Sequence, residues 1–173
     1  MNTRKNISHS VALAAMLAAL ALIFSYVEAI LPLSVGIPGV KLGIANLVII
    51  VALYTLGFRY AMTINILRIL VAGLLFNGFF GAMYSLAGGI LSLLIMFLLK
   101  KTGLFSEIGI SMAGGVTHNL GQLLVAAHIV STMKLFYYFP VLLFSGMISG
   151  VLIGIVAHLV LKKLPDKLLT KPL

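Results

Sequence analysis

The fold follows from the stretch Val11 to Leu47, VALAAMLAALALIFSYVEAILPLSVGIPGVKLGIANL. It begins as an apolar helix in which small residues recur at four-residue spacing, Ala14 with Ala18 and Ala15 with Ala19. Small side chains at this spacing let another helix approach closely inside a membrane. We therefore expect this part of the first helix to dock on a partner subunit or on another helix.

The same stretch ends in a different kind of sequence. Glu28 lies near the far end of the helix, and a loop rich in proline and glycine, Pro32 to Gly43, follows with Lys41 inside it. The loop leads into a second apolar segment that contains Asn46. A segment of this kind suits a lid over a cavity, so this end of the first helix is predicted to bind a ligand.

Composition places the whole chain in the membrane. Hydrophobic residues make up 62% of it and charged residues only 9%, and the mean hydropathy is +1.21. A soluble domain carries about 25% charged residues. The composition therefore predicts an all-α integral membrane protein, embedded in the lipid bilayer as a single transmembrane domain over residues 1–173.

Six apolar segments divide the chain, and a span needs about 20 residues. An Asn77-Gly78 turn signal separates the third segment from the fourth. The predicted spans are residues 9–31, 42–58, 60–76, 79–99, 106–130 and 140–161.

Basic residues between the spans predict the orientation. If the N-terminus is cytoplasmic, only Lys41 and Lys134 lie outside. The inside set is Arg4, Lys5, Arg59, Lys100, Lys101, Lys162, Lys163, Lys167 and Lys171. By the positive-inside rule, both chain ends are expected in the cytoplasm. The same asymmetry explains the net charge of +9 without a nucleic-acid partner.

Polar side chains inside the predicted spans are the candidates for function, because the bilayer penalises them. Arg68 lies near the middle of the third span, and Asn65 shares its helix face. In the fifth span His118, Asn119 and Gln122 form a polar patch near mid-membrane.

Each candidate also has a purely structural interpretation. Arg68 could extend its head to the interface or satisfy the carbonyls of a broken helix. The polar patch of the fifth span could hold helices together. Glu28 could be an interfacial residue paired with Lys41, and Asn46 could cap the second helix.

As one group, these residues predict a cavity with a positive bias. Lys41, Arg68 and His118 outweigh Glu28, which would suit a small ligand with a carboxylate or phosphate group. The amides would add neutral hydrogen bonds, and Tyr84 would form part of an apolar wall. The predicted substrate-binding residues are Glu28, Lys41, Asn46, Asn65, Arg68, Tyr84, His118, Asn119 and Gln122.

Several segments together resemble one bacterial membrane family. They are PGVKLGIANL (Pro38–Leu47), LGFRYAM and LRIL around Arg59 and Arg68, MYSLAGG (Met83–Gly89) and THNLGQL (Thr117–Leu123). The chain resembles, over nearly its whole length, the family called heptaprenyl diphosphate synthase component I, also called the Gx transporter family. That family is similar to the substrate-binding S components of energy-coupling factor (ECF) vitamin transporters.

The resemblance implies a six-helix, multi-pass protein of the bacterial cytoplasmic membrane, with both ends in the cytoplasm. It implies that Ala14, Ala15, Ala18 and Ala19 dock on an ECF transmembrane coupling subunit, which works with ATPases. It also implies a substrate cavity near the outer face, closed by the loop after the first helix. The expected function is uptake of a small, anionic, vitamin-like or isoprenoid- or quinone-related molecule.

The acidic residues argue against catalysis by this chain alone. A prenyl synthase binds magnesium diphosphate through several carboxylates, whereas this chain has only Asp166, Glu28 and Glu107, far apart in the sequence. It has no cysteine and no P-loop. We expect no enzymatic activity, metal or cofactor. The alternative function is a non-catalytic membrane partner of a polyprenyl diphosphate or quinone biosynthesis enzyme, such as a prenyl synthase subunit.

Overall fold

The computed structural model describes residues 2–30, 43–165 and 168–169, and within these ranges the chain is helical without any strand. A π-helical turn, Gly73–Asn77, continues the third helix, and a 3-10 helix, Met133–Tyr138, precedes the last. The α-helices are α1 (Asn2–Ile30), α2 (Ile44–Thr55), α3 (Phe58–Ala72), α4 (Gly78–Thr102), α5 (Glu107–Ile129) and α6 (Phe139–Lys163).

Each helix lies at one of the apolar segments predicted from the sequence. The largest difference is at α1, which begins at Asn2 rather than near residue 9, because the helix continues through the polar residues before its apolar part. Lys41 and the proposed lid, apart from Gly43, lie outside the described residues.

Three helical stretches are long and apolar enough to cross a membrane: Ile7–Ile30, Phe58–Thr102 and Met133–Lys163. They mark the chain as a membrane protein, as its composition predicts. Helix α2 is apolar but has only 12 residues, and α5 contains the polar patch, which lowers its hydropathy.

The stretch Phe58–Thr102 is a helical hairpin rather than one long rod. Gly78 has φ of 69° and ψ of 176°, a conformation that is essentially restricted to glycine. Beyond Gly78, α4 returns along α3, so that a Cβ built on Gly73 would lie 2.5 Å from the Cβ of Ala82. The turn predicted from Asn77-Gly78 is confirmed.

Helix α2 lies inside the bundle, packed against α1, α3 and α6. Its sequence, IANLVIIVALYT, is apolar on every side apart from Asn46, Tyr54 and Thr55, and a helix of this kind is stable only where it is surrounded. Ile49, Ile50 and Leu53 of α2 meet Leu93 of α4 and Ile110 of α5 in the main apolar cluster.

Glycines bring α4, α5 and α6 into close contact. A Cβ on Gly121 of α5 would lie 2.8 Å from the carbonyl oxygen of Ala87 on α4. A Cβ on Gly150 of α6 would lie 2.7 Å from the carbonyl oxygen of Ser111 on α5. Gly146, Gly150 and Gly154 recur at four-residue spacing on α6 and pack against α5, as expected for membrane helices.

Polar contacts close the end of the bundle at which α2 and α4 end. The Lys100 ammonium donates to the carbonyl oxygen of Leu53 at 2.9 Å and lies 4.4 Å from the ring centre of Tyr54. A cation suits the C-terminus of a helix such as α2. Nearby, Nδ1 of His158 on α6 lies 3.3 Å from Oε2 of Glu107 at the start of α5.

Candidate functional site

A polar cavity lies among all six helices, in the part of the bundle where α1 ends and α2 begins. Its volume for the centres of water molecules is about 80 Å³, within about 930 Å³ of atom-free space that includes the solvent at its mouth. Six of the predicted residues line it: Glu28, Asn46, Arg68, His118, Asn119 and Gln122. The fold thus gathers residues from α1, α2, α3 and α5 that are up to 94 positions apart in the sequence.

Three other predicted residues stand apart from this lining. Asn65 is buried directly behind Arg68, with 1% of its surface exposed. Tyr84 is half-buried on α4 and does not line the cavity. Lys41 lies outside the described residues.

The Arg68 guanidinium is held by two asparagines. Its Nη2 donates to Oδ1 of Asn46 at 2.7 Å and to Oδ1 of Asn65 at 2.9 Å. Its Nε donates to Oδ1 of Asn65 at 3.2 Å. Asn65 and Arg68 are neighbours on one face of α3, and Asn46 approaches from α2. These contacts fix the direction of the arginine head.

No described carboxylate forms an ion pair with Arg68, although only 8% of the arginine is exposed. Its two asparagine partners are neutral, and Glu28, which lines the same cavity, attracts Arg68 only from beyond ion-pair distance. A guanidinium has five N–H donors, and those on Nη1 have no partner among the described residues. A buried charge is costly until an anion meets it. The arrangement therefore suits an anionic group in the cavity.

The residues around the start of α2 have roles that differ from simple capping. Gly43, with φ of 73°, precedes the helix, and the Asn46 side chain makes no cap bond because it holds Arg68. Instead, the Ile44 N–H donates to Oε1 of Glu28 at 2.9 Å. A carboxylate is favourable at a helix N-terminus, so Glu28 joins the end of α1 to the start of α2 beside the cavity.

The polar patch of α5 combines a packing role with a place in the cavity. Nδ2 of Asn119 donates to the carbonyl oxygen of Leu142 on α6 at 2.7 Å, so this amide links two helices. His118 and Gln122 lie against Gly88 of α4, where a Cβ would be 2.7 Å from the His118 carbonyl oxygen and 2.9 Å from Cγ of Gln122. Only a glycine at this position leaves room for both.

The family model for heptaprenyl diphosphate synthase component I matches residues 17–160. The chain belongs to this family. The match runs from α1 to α6 and so includes every helix that lines the cavity. No curated protein and no solved structure matches the chain.

In this member of the component I family, serines form a part of the cavity that sequence reasoning missed. The lining includes Ser25, Ser85, Ser92, Ser111 and Ser149. The available signal was spacing: Ser85 and Ser92 are seven residues apart, and so are Ser111 and His118, which places each pair on one helix face.

The alanines of α1 in this family member fall into two different surroundings. Ala14 and Ala18 pack against the apolar cluster of the protein itself, whereas Ala15 and Ala19 are exposed. An external partner could therefore reach the second pair directly.

Proposed function

We propose that this component I protein is the substrate-binding subunit of an ECF-type transporter that takes up a small anionic, vitamin-like or isoprenoid- or quinone-related molecule. The observation that carries the proposal is the buried charge of Arg68, which has no ion-pair partner among the described residues, beside a cavity lined by all six helices. A charge at such a place in a membrane protein marks a substrate pathway or a binding site.

The proposal includes six membrane spans with both ends in the cytoplasm. Helix α5 packs between α4 and α6, and its polar side chains line the cavity, which accounts for its lower hydropathy. Helix α2 is only about 18 Å long, but α1, α3 and α6 surround it, so it needs little contact with lipid. In this topology the cavity lies towards the outer face.

Cysteine labelling tests the topology, since the chain has no cysteine of its own. A membrane-impermeant maleimide should label Lys134→Cys in intact cells but should label Thr102→Cys only after permeabilisation. Both positions are exposed, so accessibility to the reagent depends on the side of the membrane. Labelling of Thr102→Cys in intact cells would show that the orientation is wrong.

The exposed pair on α1 is the proposed docking surface for the coupling subunit. Ala15→Trp with Ala19→Trp should abolish co-purification with that subunit and reduce uptake at least tenfold, because bulky side chains prevent close helix approach. Ligand binding in the cavity should persist, since both alanines are exposed. Co-purification and uptake are measured side by side.

Met16→Trp is the matched control, because Met16 is also on α1 and is 69% exposed but is already large. It should leave the complex intact. Ala14→Trp should instead lower stability, because Ala14 packs on the apolar cluster. Full uptake by the variant with both Ala15→Trp and Ala19→Trp would show that the proposed docking surface is wrong.

The second candidate function is a non-catalytic membrane partner of a polyprenyl diphosphate synthase. The family description, component I of such a synthase, favours it. Among the described residues no three His, Cys, Asp or Glu side chains lie together as a metal site would require, so the metal chemistry would come from the partner. Affinity purification of the chain separates the two proposals: ATPases and a coupling subunit support the first, and a prenyl synthase subunit supports the second.

A further inference from the structure

An apolar groove lies beside the polar cavity, between the start of α2 and the middle of α6. Its volume for the centres of water molecules is about 170 Å³, within about 460 Å³ of atom-free space that includes open solvent. Leu152 is 53% exposed and Val156 is 45% exposed, so the groove opens on the outer surface of the bundle. The described residues that line it are Ile44, Leu47, Ser149, Leu152, Ile153 and Val156.

The groove and the cavity meet at two residues, because Ser149 and Ile153 line both. Gly43 lies at this junction, where a Cβ would be 3.3 Å from Cδ1 of Ile153 and 3.3 Å from Nδ2 of Asn46. Asn46 is the residue that holds Arg68. Ser149 and Ile153 therefore form a wall that is shared by the cavity of Arg68 and the apolar groove on the outside of the bundle.

Helix packing explains why the groove lies between α2 and α6. The glycines of α6, including Gly150 and Gly154, face α5, where backbones touch closely. The side of α6 towards α2 carries larger residues, Ile153 and Val156, which cannot pack so tightly. In addition, α2 has only 12 residues and covers only part of the 25-residue α6.

We propose that the site binds an anionic amphiphile. Its anionic head binds Arg68, and its single apolar chain passes between α2 and α6 at Ser149 and Ile153 into the groove. The proposal rests on the binding function proposed above and adds the class of ligand. The Nη1 donors of Arg68, which have no partner among the described residues, match the head. The groove offers the chain an apolar surface in contact with lipid. A small soluble anion would leave the groove unused.

A tryptophan reporter tests this proposal, because the chain contains no tryptophan. Leu152→Trp places an indole in the groove of the full-length protein in lipid nanodiscs. The probes are 12-bromododecanoate and 12-bromododecyl phosphate, whose bromine quenches a nearby indole. Ile148→Trp is the matched control, since Ile148 is one turn earlier on α6, is 64% exposed and does not line the groove.

The expected result is saturable quenching at position 152 by at least one of the two probes, against weaker, non-saturating quenching at position 148. Arg68→Met should weaken the saturable quenching about tenfold or more, the loss expected for a charged hydrogen bond. The headless probe 1-bromododecane should produce no saturable quenching.

Val156→Phe provides a second variant in case Arg68→Met folds poorly, because Val156 lines the groove but not the cavity. The larger side chain should fill the groove and abolish saturable quenching while leaving Arg68-dependent binding of methyl phosphate or acetate, measured by calorimetry. Val156→Ala, which keeps the groove open, should behave like the unaltered protein.

Equal quenching at positions 148 and 152, or quenching that does not depend on Arg68, would overturn the proposal, because it would show simple partition into lipid. If methyl phosphate or acetate binds through Arg68 as tightly as the long-chain probes, the ligand is a soluble anion. That result would support the proposed binding function and contradict the proposal of an amphiphilic ligand. If neither kind of probe binds through Arg68, the proposed binding function and the proposed ligand class are both wrong.

Discussion

Arg68→Met is expected to weaken binding of the anionic ligand about ten- to hundredfold, corresponding to roughly 1.5–3 kcal/mol for a hydrogen bond to a charged group. The guanidinium is the buried positive charge of the cavity, and its Nη1 donors are free of described partners. Methionine fills a similar volume without charge. Loss of the arginine leaves Oδ1 of Asn46 and of Asn65 without a donor but also removes a costly buried charge, so we expect little net change in stability.

Mass spectrometry of small molecules released from the purified protein measures the bound ligand, and thermal denaturation of the same sample measures folding. Arg59→Met is the matched control, because Arg59 is also on α3 but is exposed. It should retain the ligand. If Arg68→Met stays folded and retains the ligand, the proposed site is wrong. If it loses its folded state, the arginine has a structural role.

Gly121→Ala should lower the free energy of unfolding by about 1–3 kcal/mol, the usual cost of overpacking. The new Cβ would lie 2.8 Å from the carbonyl oxygen of Ala87 and 2.9 Å from Cα of Gly88. Both neighbours are backbone atoms of α4, so neither can move aside by a side-chain rotation. The two helices must separate, which would also displace His118 from its place against Gly88 and weaken ligand binding.

Gly109→Ala is the matched control on the same helix. The nearest atoms to a Cβ at Gly109 are 3.8 Å away, which is ordinary contact. Alanine is favoured over glycine in a helix by about 1 kcal/mol, so this variant should be neutral or slightly more stable. Denaturation in detergent compares the two variants. Equal stability of both would show that the α4–α5 contact is looser than described.

Local features of the sequence were enough to predict the class, the helices and one turn. Apolar runs identify membrane helices because the bilayer requires backbone groups to bond within the helix. Asn77-Gly78 predicts a turn because Gly78 adopts a backbone conformation that other residues avoid. Arg68 and His118 could be selected as cavity residues for the same local reason, since a polar side chain in an apolar span must face the protein interior.

Only the tertiary structure decided what each polar or small residue contacts. Helical spacing shows that Ala14 and Ala18 share a face, but it does not show that this face packs on the protein's own core. Likewise, the position of Asn46 at the start of α2 is typical of a cap, whereas its side chain holds Arg68, 22 residues away. A residue's position along a helix determines its direction, and the neighbour it meets depends on how separate helices pack against each other.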